Sequence, residues 1–253
     1  MPTWKYPTRN FLKLYICLGN SFQTESLTPY FRKKPKHLNF TSRICDQLQP
    51  HDSKHKPKRT NSMKAEQIEI IDEAISSDEQ DQITHALSNA TWRLDWPINS
   101  TPFARPCWHF FIAGSKRSSF ESCEEELINN NEWAFLAAIW QRLKDKKLKN
   151  TTLLDVYANG QTFGQDSPIH RDNRASKPGK TAVLFCNDYW SISWGGELIL
   201  FNESKNDIIH SIPPRSGRIV IFDGQIPHRA RSPAIDCTQL RTTIAFKTIN
   251  KEA

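Results

Sequence analysis

The second half of the chain contains a series of short apolar segments that alternate with the period of a β-strand. They cover residues 153–157, 181–185, 196–201, 218–222 and 240–246. Turn residues (Gly, Asn, Pro and Ser) separate them, and no helical pattern lies between them. Several short strands without intervening helices are typical of an antiparallel sandwich or barrel.

Two helices are predicted before these strands. Ser77-Asp78-Glu79-Gln80 fits a capping box with Ser77 as the N-cap, and the helix should end near Asn89. The second helix carries one apolar stripe, followed by lysines at its C-terminal end. The stripe consists of Trp133, Leu136, Ala137, Trp140 and Leu143. Helices first and strands second predict an α+β fold that is mainly β.

Charge divides the 253-residue chain into two parts. Residues 1–62 carry 12 lysines and arginines against three acids, a net charge of +9, whereas residues 63–253 have a net charge of −2. We expect residues 1–62 to form a basic, disordered tail and residues 63–253 to form the globular domain. The tail is open to three interpretations: a basic arm, an organelle transit segment, or a stretch absent from a native protein that starts at Met63.

The six cysteines indicate a reducing environment. None lies closer than 16 positions to another, which excludes a CxxC zinc or redox motif. The sequence has no apolar run near the roughly 20 residues of a membrane helix and shows no secretory signal. A cytoplasmic protein with no membrane partner is the simplest interpretation.

The best candidates for chemistry are His170, Asp172 and His228. In an extended chain, His170 and Asp172 point to the same face, so they can converge on one ion. His228 follows an apolar strand and a turn, 58 residues later. Two histidines and one carboxylate form the facial triad of non-haem Fe(II) sites. The tripeptide alone is weak evidence, because solvated or core polar residues also produce it.

Arg241 begins a strand whose alternate positions continue with the small residues Thr243 and Ala245. One long cation followed by small side chains suits the wall of a narrow cavity. A buried arginine needs an anionic partner, and this strand holds no acid beside it. A dicarboxylate ligand fits, because a guanidinium binds a carboxylate with two parallel hydrogen bonds. The alternative is a surface arginine on an edge strand.

Taken together with further segments of the same region, these residues resemble a known protein family. The region from Leu153 to Lys247 resembles the Fe(II)/2-oxoglutarate-dependent dioxygenases, in particular their prolyl-4-hydroxylase-like branch. The matching segments are Val156-Tyr157-Ala158-Asn159-Gly160, His170-Arg171-Asp172, Trp194-Gly195-Gly196-Glu197-Leu198, Pro214-Arg215-Ser216-Gly217-Arg218, Phe222-Asp223, Pro227-His228 and Arg241-Thr242-Thr243.

The resemblance implies a double-stranded β-helix (jelly-roll) core with N-terminal helices buttressing one sheet. It also implies an oxidoreductase that uses Fe(2+), 2-oxoglutarate and O2, with ascorbate as a candidate reductant. It implies that His170, Asp172 and His228 hold the iron. It also implies that Arg241 binds the distal carboxylate of 2-oxoglutarate, with Thr243 and Tyr157 as further contacts. The sequence departs from many relatives at Phe185, where they have a tyrosine that helps to hold this carboxylate.

The substrate implied by the resemblance is a prolyl, peptidyl or amino-acid-like molecule, hydroxylated with release of succinate and CO2. Nucleic acid is disfavoured, because the globular part is slightly acidic. The alternatives are a non-catalytic jelly-roll that binds a ligand or a protein partner, a zinc hydrolase that uses the same three ligands, and a nucleic-acid binder that relies on the basic tail. The sequence does not set the oligomeric state.

Overall fold

A computed structural model describes residues 68–95, 106–115 and 120–251. The predicted basic tail, residues 1–62, lies outside these described residues. The helices are α1 (Ser77–Asn89), α2 (Glu124–Ile128) and α3 (Leu136–Lys147). The strands are β1 (Ile68–Ile71), β2 (Trp108–Ala113), β3 (Thr151–Gln161), β4 (Lys180–Phe185), β5 (Leu198–Phe201), β6 (Ile208–Ile212), β7 (Ile219–Asp223), β8 (His228–Ala230) and β9 (Arg241–Asn250).

The strands form two antiparallel sheets, as the jelly-roll prediction requires. The larger sheet has the order β1-β7-β4-β9-β3-β2, and the smaller has the order β6-β5-β8. The chain therefore crosses between sheets several times, and β9, the last strand, lies inside the large sheet between β4 and β3. This central position places the residues of β9 beside those of β3 and β4.

Side-chain alternation gives the large sheet two different faces. Ile244 and Phe246 on β9 belong to a core that the large sheet shares with the helices, where Ile139 and Trp140 of α3 are buried. The neighbouring residues Thr243 and Ala245 point to the other face and line a cavity. Burying one large aliphatic side chain contributes about 1.5–3 kcal/mol, so the helical face fixes the sheet while the opposite face is free to carry polar groups.

A second, smaller hydrophobic core occupies part of the face of the large sheet that points away from the helices. It contains Phe185, Leu198, Leu200 and Phe222, which come from both sheets. The rest of this face is polar and forms the site described below. Among the described residues, no helix is long and apolar enough to cross a membrane.

The capping-box prediction was wrong by one residue. The N-cap of α1 is Ser76, whose side chain accepts a hydrogen bond from the amide of Glu79, while the Glu79 carboxylate accepts from the amide of Ser76. Gln80, the predicted third helical residue of the box, instead donates to the carbonyl of Cys186 at 2.7 Å. The predicted end of the helix at Asn89 is confirmed.

Two other boundaries also differ from expectation. The second predicted helix begins at Leu136, and Trp133 lies in the preceding turn, although both side chains are buried in the same core. The apolar segment at residues 153–157 is part of a longer strand, since β3 spans Thr151–Gln161 and pairs with β9 up to Arg241. Strands β1, β2, β6 and β8 were not predicted.

Candidate metal centre

Backbone pairing brings His170 and His228 together. The amide of each residue donates to the carbonyl of the other, both at 2.9 Å, so that the loop before β4 runs antiparallel to β8. The amides of Asp172 and Asn173 then donate to the carbonyl of Gly224, at 2.8 and 3.0 Å. These backbone bonds hold the predicted triad in place, independently of its side chains.

Close packing at Gly224 adds to this constraint. A Cβ at position 224 would lie 1.8 Å from Oδ1 of Asn173. The Asn173 amide group is itself fixed, since its nitrogen donates to the carbonyl of Thr248 at 3.0 Å. Only glycine leaves room for Asn173, and Asn173 is the neighbour of Asp172.

The three side chains of the triad meet at one point. Nε2 of His170 lies 3.5 Å from Oδ1 of Asp172, and Nε2 of His228 lies 3.5 Å from Oδ2 of the same carboxylate. The group offers one ligand atom from each residue, all within 4.8 Å of one another. Two imidazole nitrogens and one carboxylate oxygen in this arrangement form the donor set that suits Fe(II) with open coordination positions.

Each histidine is oriented by a backbone carbonyl. Nδ1 of His170 lies 3.0 Å from the carbonyl oxygen of Pro168, and Nδ1 of His228 lies 2.9 Å from that of Ile226. Because a carbonyl only accepts, Nδ1 carries the proton in both rings, and the lone pair of Nε2 faces the triad. Burial lowers the pKa of His228 to about 4, against the opposing effect of Asp172, so this ring is neutral at neutral pH.

Asp172 is ionised and bound on both oxygens. Burial alone would raise its pKa, but Lys247 and the two histidines outweigh burial and hold the pKa well below the ordinary value. Nζ of Lys247 lies 2.7 Å from Oδ1, and the hydroxyl of Thr181 donates to Oδ2 at 2.6 Å. The triad therefore offers a metal two imidazole nitrogens and one anionic oxygen.

Arg241 is almost fully buried, at 1% exposure. Its Nε donates to the carbonyl of Gly196 at 2.6 Å, and its Nη1 donates to Oε1 of Gln161 at 3.0 Å. Burial lowers its pKa to about 10, so the guanidinium stays charged at neutral pH. No carboxylate of the described residues forms an ion pair with it, which agrees with the expectation that its anionic partner comes from outside the chain.

A cavity of about 480 Å³ joins the triad to Arg241. This volume suits a small-molecule site. Its walls include all six predicted site residues, namely Tyr157, His170, Asp172, His228, Arg241 and Thr243. The cavity also includes Cys107, Gln161, Thr181 and Lys247, which sequence reasoning did not select.

Three further predictions about the site have different outcomes. Thr243 and Tyr157 line the cavity, so both lie where a cosubstrate contact requires them, and their roles stay predictions. Burial raises the pKa of Tyr157 to about 12, so its hydroxyl keeps its proton. Phe185 lies under Arg241, with the guanidinium carbon 5.3 Å from the ring centroid, and offers no hydroxyl to a carboxylate.

The cavity residues that the sequence analysis did not select differ in how far a sequence pattern could have indicated them. Lys247 continues the alternation of Arg241, Thr243 and Ala245 by one more step, so the same pattern extends to it. Thr181 and Gln161 leave no local signal, because their partners are distant in sequence. Gln161 matters because β3 pairs with β9 and places it directly opposite Arg241.

Comparison with known proteins agrees with this geometry. Residues 154–246 match the model of the 2OG-Fe(II) oxygenase superfamily. A search of curated protein sequences gives no match. Among solved structures, a prolyl hydroxylase from Trichoplax adhaerens, in complex with a hypoxia-inducible-factor degradation-domain peptide, has a TM-score of 0.53 at 18% identity. The match covers 74% of this chain and 84% of that one.

A second solved structure has the same fold. It is an oxidoreductase of the 2OG-Fe(II) oxygenase family from Burkholderia pseudomallei, with a TM-score of 0.52, 12% identity, and coverage of 73% of this chain and 85% of that one. Residues 154–246 are thus similar to the 2OG-Fe(II) oxygenase superfamily, and the chain has the fold of 2OG-Fe(II) oxygenases, among them a prolyl hydroxylase.

Proposed function

We propose that this protein is a hydroxylase in which His170, Asp172 and His228 hold Fe(II) and Arg241 binds the distal carboxylate of 2-oxoglutarate. We further propose that its substrate is a prolyl, peptidyl or amino-acid-like molecule. The observation that carries the proposal is the single cavity that contains both a His-Asp-His triad and a buried arginine without an anionic partner among the described residues.

The chemistry comes from the bound metal and cosubstrate: Fe(II) with 2-oxoglutarate and O2 converts a substrate C–H bond to C–OH, while 2-oxoglutarate becomes succinate and CO2. The protein orients the reactants. The carbonyls of Pro168 and Ile226 fix the imidazoles, and Thr181 fixes the carboxylate of Asp172. A fixed set of three ligands leaves the remaining coordination positions for the reactants.

Arg241 sets the direction of the cosubstrate. Its guanidinium is held by Gly196 and Gln161, so its donors keep one orientation before any ligand binds. Such preorganisation reduces the entropy lost when a carboxylate binds. Thr243 and Tyr157 line the same cavity and are proposed as additional hydrogen-bond partners of 2-oxoglutarate.

The cellular setting belongs to the same proposal. The four cysteines among the described residues, Cys107, Cys123, Cys186 and Cys237, are free. Free thiols are the rule in a reducing compartment, and this supports a cytoplasmic location. The Trichoplax adhaerens enzyme is complexed with a peptide, and this supports a peptidyl substrate among the classes that we propose.

The test is a screen for succinate release. The protein is reconstituted anaerobically with Fe(II), then supplied with 2-oxoglutarate, O2 and a panel of prolyl peptides and free amino acids. We expect succinate that depends on Fe(II) and on 2-oxoglutarate and that rises with at least one substrate. Zinc in place of iron should give no turnover. Absence of succinate from fully iron-loaded protein with every member of the panel would contradict the proposal.

A further inference from the structure

Lys247 is a cation beside the metal triad that the proposed function does not use. Its Nζ lies 2.7 Å from Oδ1 of Asp172 and hydrogen-bonds Tyr157. Its side chain is 23% exposed, in a cavity where Asp172 is 3% exposed. A lysine ammonium is strongly hydrated, so holding it in this half-buried position requires anionic partners.

Lys247 and Arg241 occupy opposite ends of one row of side chains. Both face the cavity from β9, and five residues of strand lie between them, which corresponds to roughly 20 Å between their Cα atoms. Asp172 lies at the Lys247 end, because Thr181, which binds Asp172, stands opposite Lys247 in the pairing of β4 with β9. A cosubstrate that runs from the triad to Arg241 therefore leaves Lys247 on the side that remains for the substrate.

A count of charges shows what the substrate must supply. The positive charges of a ferrous ion and of Arg241 are matched by Asp172 and the two carboxylates of 2-oxoglutarate. Lys247 is then surplus positive charge, since a metal bound to Asp172 takes most of the negative charge that the lysine relies on. Asp172 lies within ion-pair distance of Lys247. Asp155 stands opposite Lys247 in the pairing of β3 with β9, and both Asp155 and the cation Arg174 line the cavity. Beyond the charges already matched, Lys247 and Arg174 therefore share a single acid on the cavity wall, which leaves one positive charge for the substrate.

We propose that Lys247 binds a carboxylate of the substrate, and that the substrate is therefore a small amino-acid-like acid rather than a neutral residue inside a peptide. This inference rests on the proposed function and decides between the substrate classes that it leaves open. The carboxylate lies within reach of both Lys247 and the triad, so the hydroxylated carbon lies close to the acid group. The cavity of about 480 Å³ accommodates a molecule of this size together with 2-oxoglutarate.

The experiment compares acids with their amides. The Fe(II)-loaded wild-type protein, Lys247→Met and Lys247→Arg are assayed for substrate-dependent succinate with free amino acids, including L-proline, with the matching amino-acid amides, and with prolyl peptides capped at both ends. We expect wild type to prefer the acids. Lys247→Met removes a partner of Asp172 and should affect both substrates, but it should raise the KM for the best acid roughly 10- to 100-fold more than the KM for its amide. Lys247→Arg keeps the charge and should retain the preference.

A binding measurement separates recognition from catalysis. Calorimetric titration of the best acid and its amide into protein loaded with zinc and 2-oxoglutarate reports affinity without turnover. Lys247→Met should weaken binding of the acid relative to binding of the amide by a similar factor. A variant that merely lost metal through a disturbed Asp172 would lower both acid and amide signals together, and this outcome would overturn the inference.

Failure of this inference is distinct from failure of the proposed function. Wild-type succinate formation that favours capped peptides, with an unchanged KM in Lys247→Met, would refute the carboxylate role and leave the hydroxylase proposal intact. Absence of any Fe(II)- and 2-oxoglutarate-dependent succinate would refute the hydroxylase proposal itself. A thermal melt of each variant shows that it is folded, and Lys247→Arg serves as the charge-matched control.

Discussion

Nη1 of Arg241 donates to Oε1 of Gln161 at 3.0 Å, and the two residues stand directly opposite each other on β9 and β3. Strand pairing thus supplies the support for the arginine, while Gly196 binds Nε from the neighbouring turn. The arginine is held by neutral acceptors alone within the described residues. The nearby charge of Glu197 favours the charged form of the arginine, and the carboxylate of 2-oxoglutarate is the direct anionic partner that we propose for it.

Replacing Arg241 should weaken use of 2-oxoglutarate. A charged hydrogen bond contributes about 1.5–3 kcal/mol, so Arg241→Met should raise the KM for 2-oxoglutarate roughly 10- to 100-fold. Arg241→Lys keeps the charge and loses the two-pronged geometry, so its effect should be intermediate. The control is Arg231→Met, whose side chain is 53% exposed. The measurement is succinate release against 2-oxoglutarate concentration, and an unchanged KM in Arg241→Met would place the cosubstrate elsewhere.

Removal of any triad residue should abolish iron binding. His170→Ala, Asp172→Ala and His228→Ala each delete one of three donors, and changes outside the ligand set alone reduce metal affinity by about 10- to 100-fold. We therefore expect each variant to lose more than about 100-fold in Fe(II) affinity and all detectable succinate formation. Iron per chain after anaerobic reconstitution and desalting is the measurement. His85→Ala, on the exposed side of α1, is the control. Normal turnover in any triad variant would contradict the assignment of that residue as an iron ligand.

Gly224→Ala should disturb the triad without touching it. The new Cβ would meet Oδ1 of Asn173 at 1.8 Å, and Asn173 follows Asp172 in the loop whose amides donate to the carbonyl of Gly224. We expect lower Fe(II) affinity and a destabilisation of about 1–3 kcal/mol from overpacking. The double variant with Asn173→Ala removes the clashing amide and should recover much of the iron affinity. Iron content and urea unfolding test this, and additive losses in the double variant would argue against the clash.

The N-cap of α1 offers a comparison between two adjacent serines. Ser76 accepts from the Glu79 amide at 3.2 Å, so Ser76→Ala should cost about 1 kcal/mol of unfolding free energy. Ser77 is the first residue inside the helix, and Ser77→Ala should be nearly neutral. Chemical denaturation of the two variants gives the difference directly. A larger loss of unfolding free energy in Ser77→Ala would identify Ser77 as the N-cap, as the sequence pattern predicts.

That one-residue error shows what local sequence leaves undecided. Both Ser76 and Ser77 precede a Glu or Gln by three positions, so both fit a capping box. Tertiary contacts decide between them: Gln80 reaches the distant carbonyl of Cys186, and Arg142 of α3 forms an ion pair with Glu79. No pattern within α1 contains this information.

The strands and the triad were more accessible to sequence reasoning. Alternation located five apolar segments, because each has a face that is buried in one of the two cores. Strand β6 is mostly exposed and carries no apolar alternation, and β8 has only three residues. His170, Asp172 and His228 could be selected by ligand chemistry, but Lys247 could not be linked to Asp172, since 75 positions separate them and only the place of β9 in the sheet brings them together.

Low pH should weaken a set of charged hydrogen bonds that joins the end of β1 to the start of β7. Nε and Nη2 of Arg218 donate to the two oxygens of Asp72 at 2.6 and 3.1 Å, and Arg215 adds a third bond at 3.0 Å. The hydrogen bond from Arg218 is the main cause that lowers the pKa of Asp72 below its ordinary value, against a smaller effect of burial. Folding therefore favours the ionised carboxylate.

The direction of the pH dependence follows from this lowered pKa. The contribution of Asp72 is complete above its ordinary pKa of 3.8 and is lost as the pH falls through the lower folded value. Because the side chain is 39% exposed, solvent screening limits the contribution to about 1 kcal/mol at neutral pH. Asp72→Asn should lose that amount at pH 7, and its difference from wild type should shrink below about pH 4. Urea unfolding across this range is the measurement, with Asp81→Asn, exposed on α1, as the control. A difference that stays constant down to the acid limit would show that the Asp72 charge does not stabilise the fold.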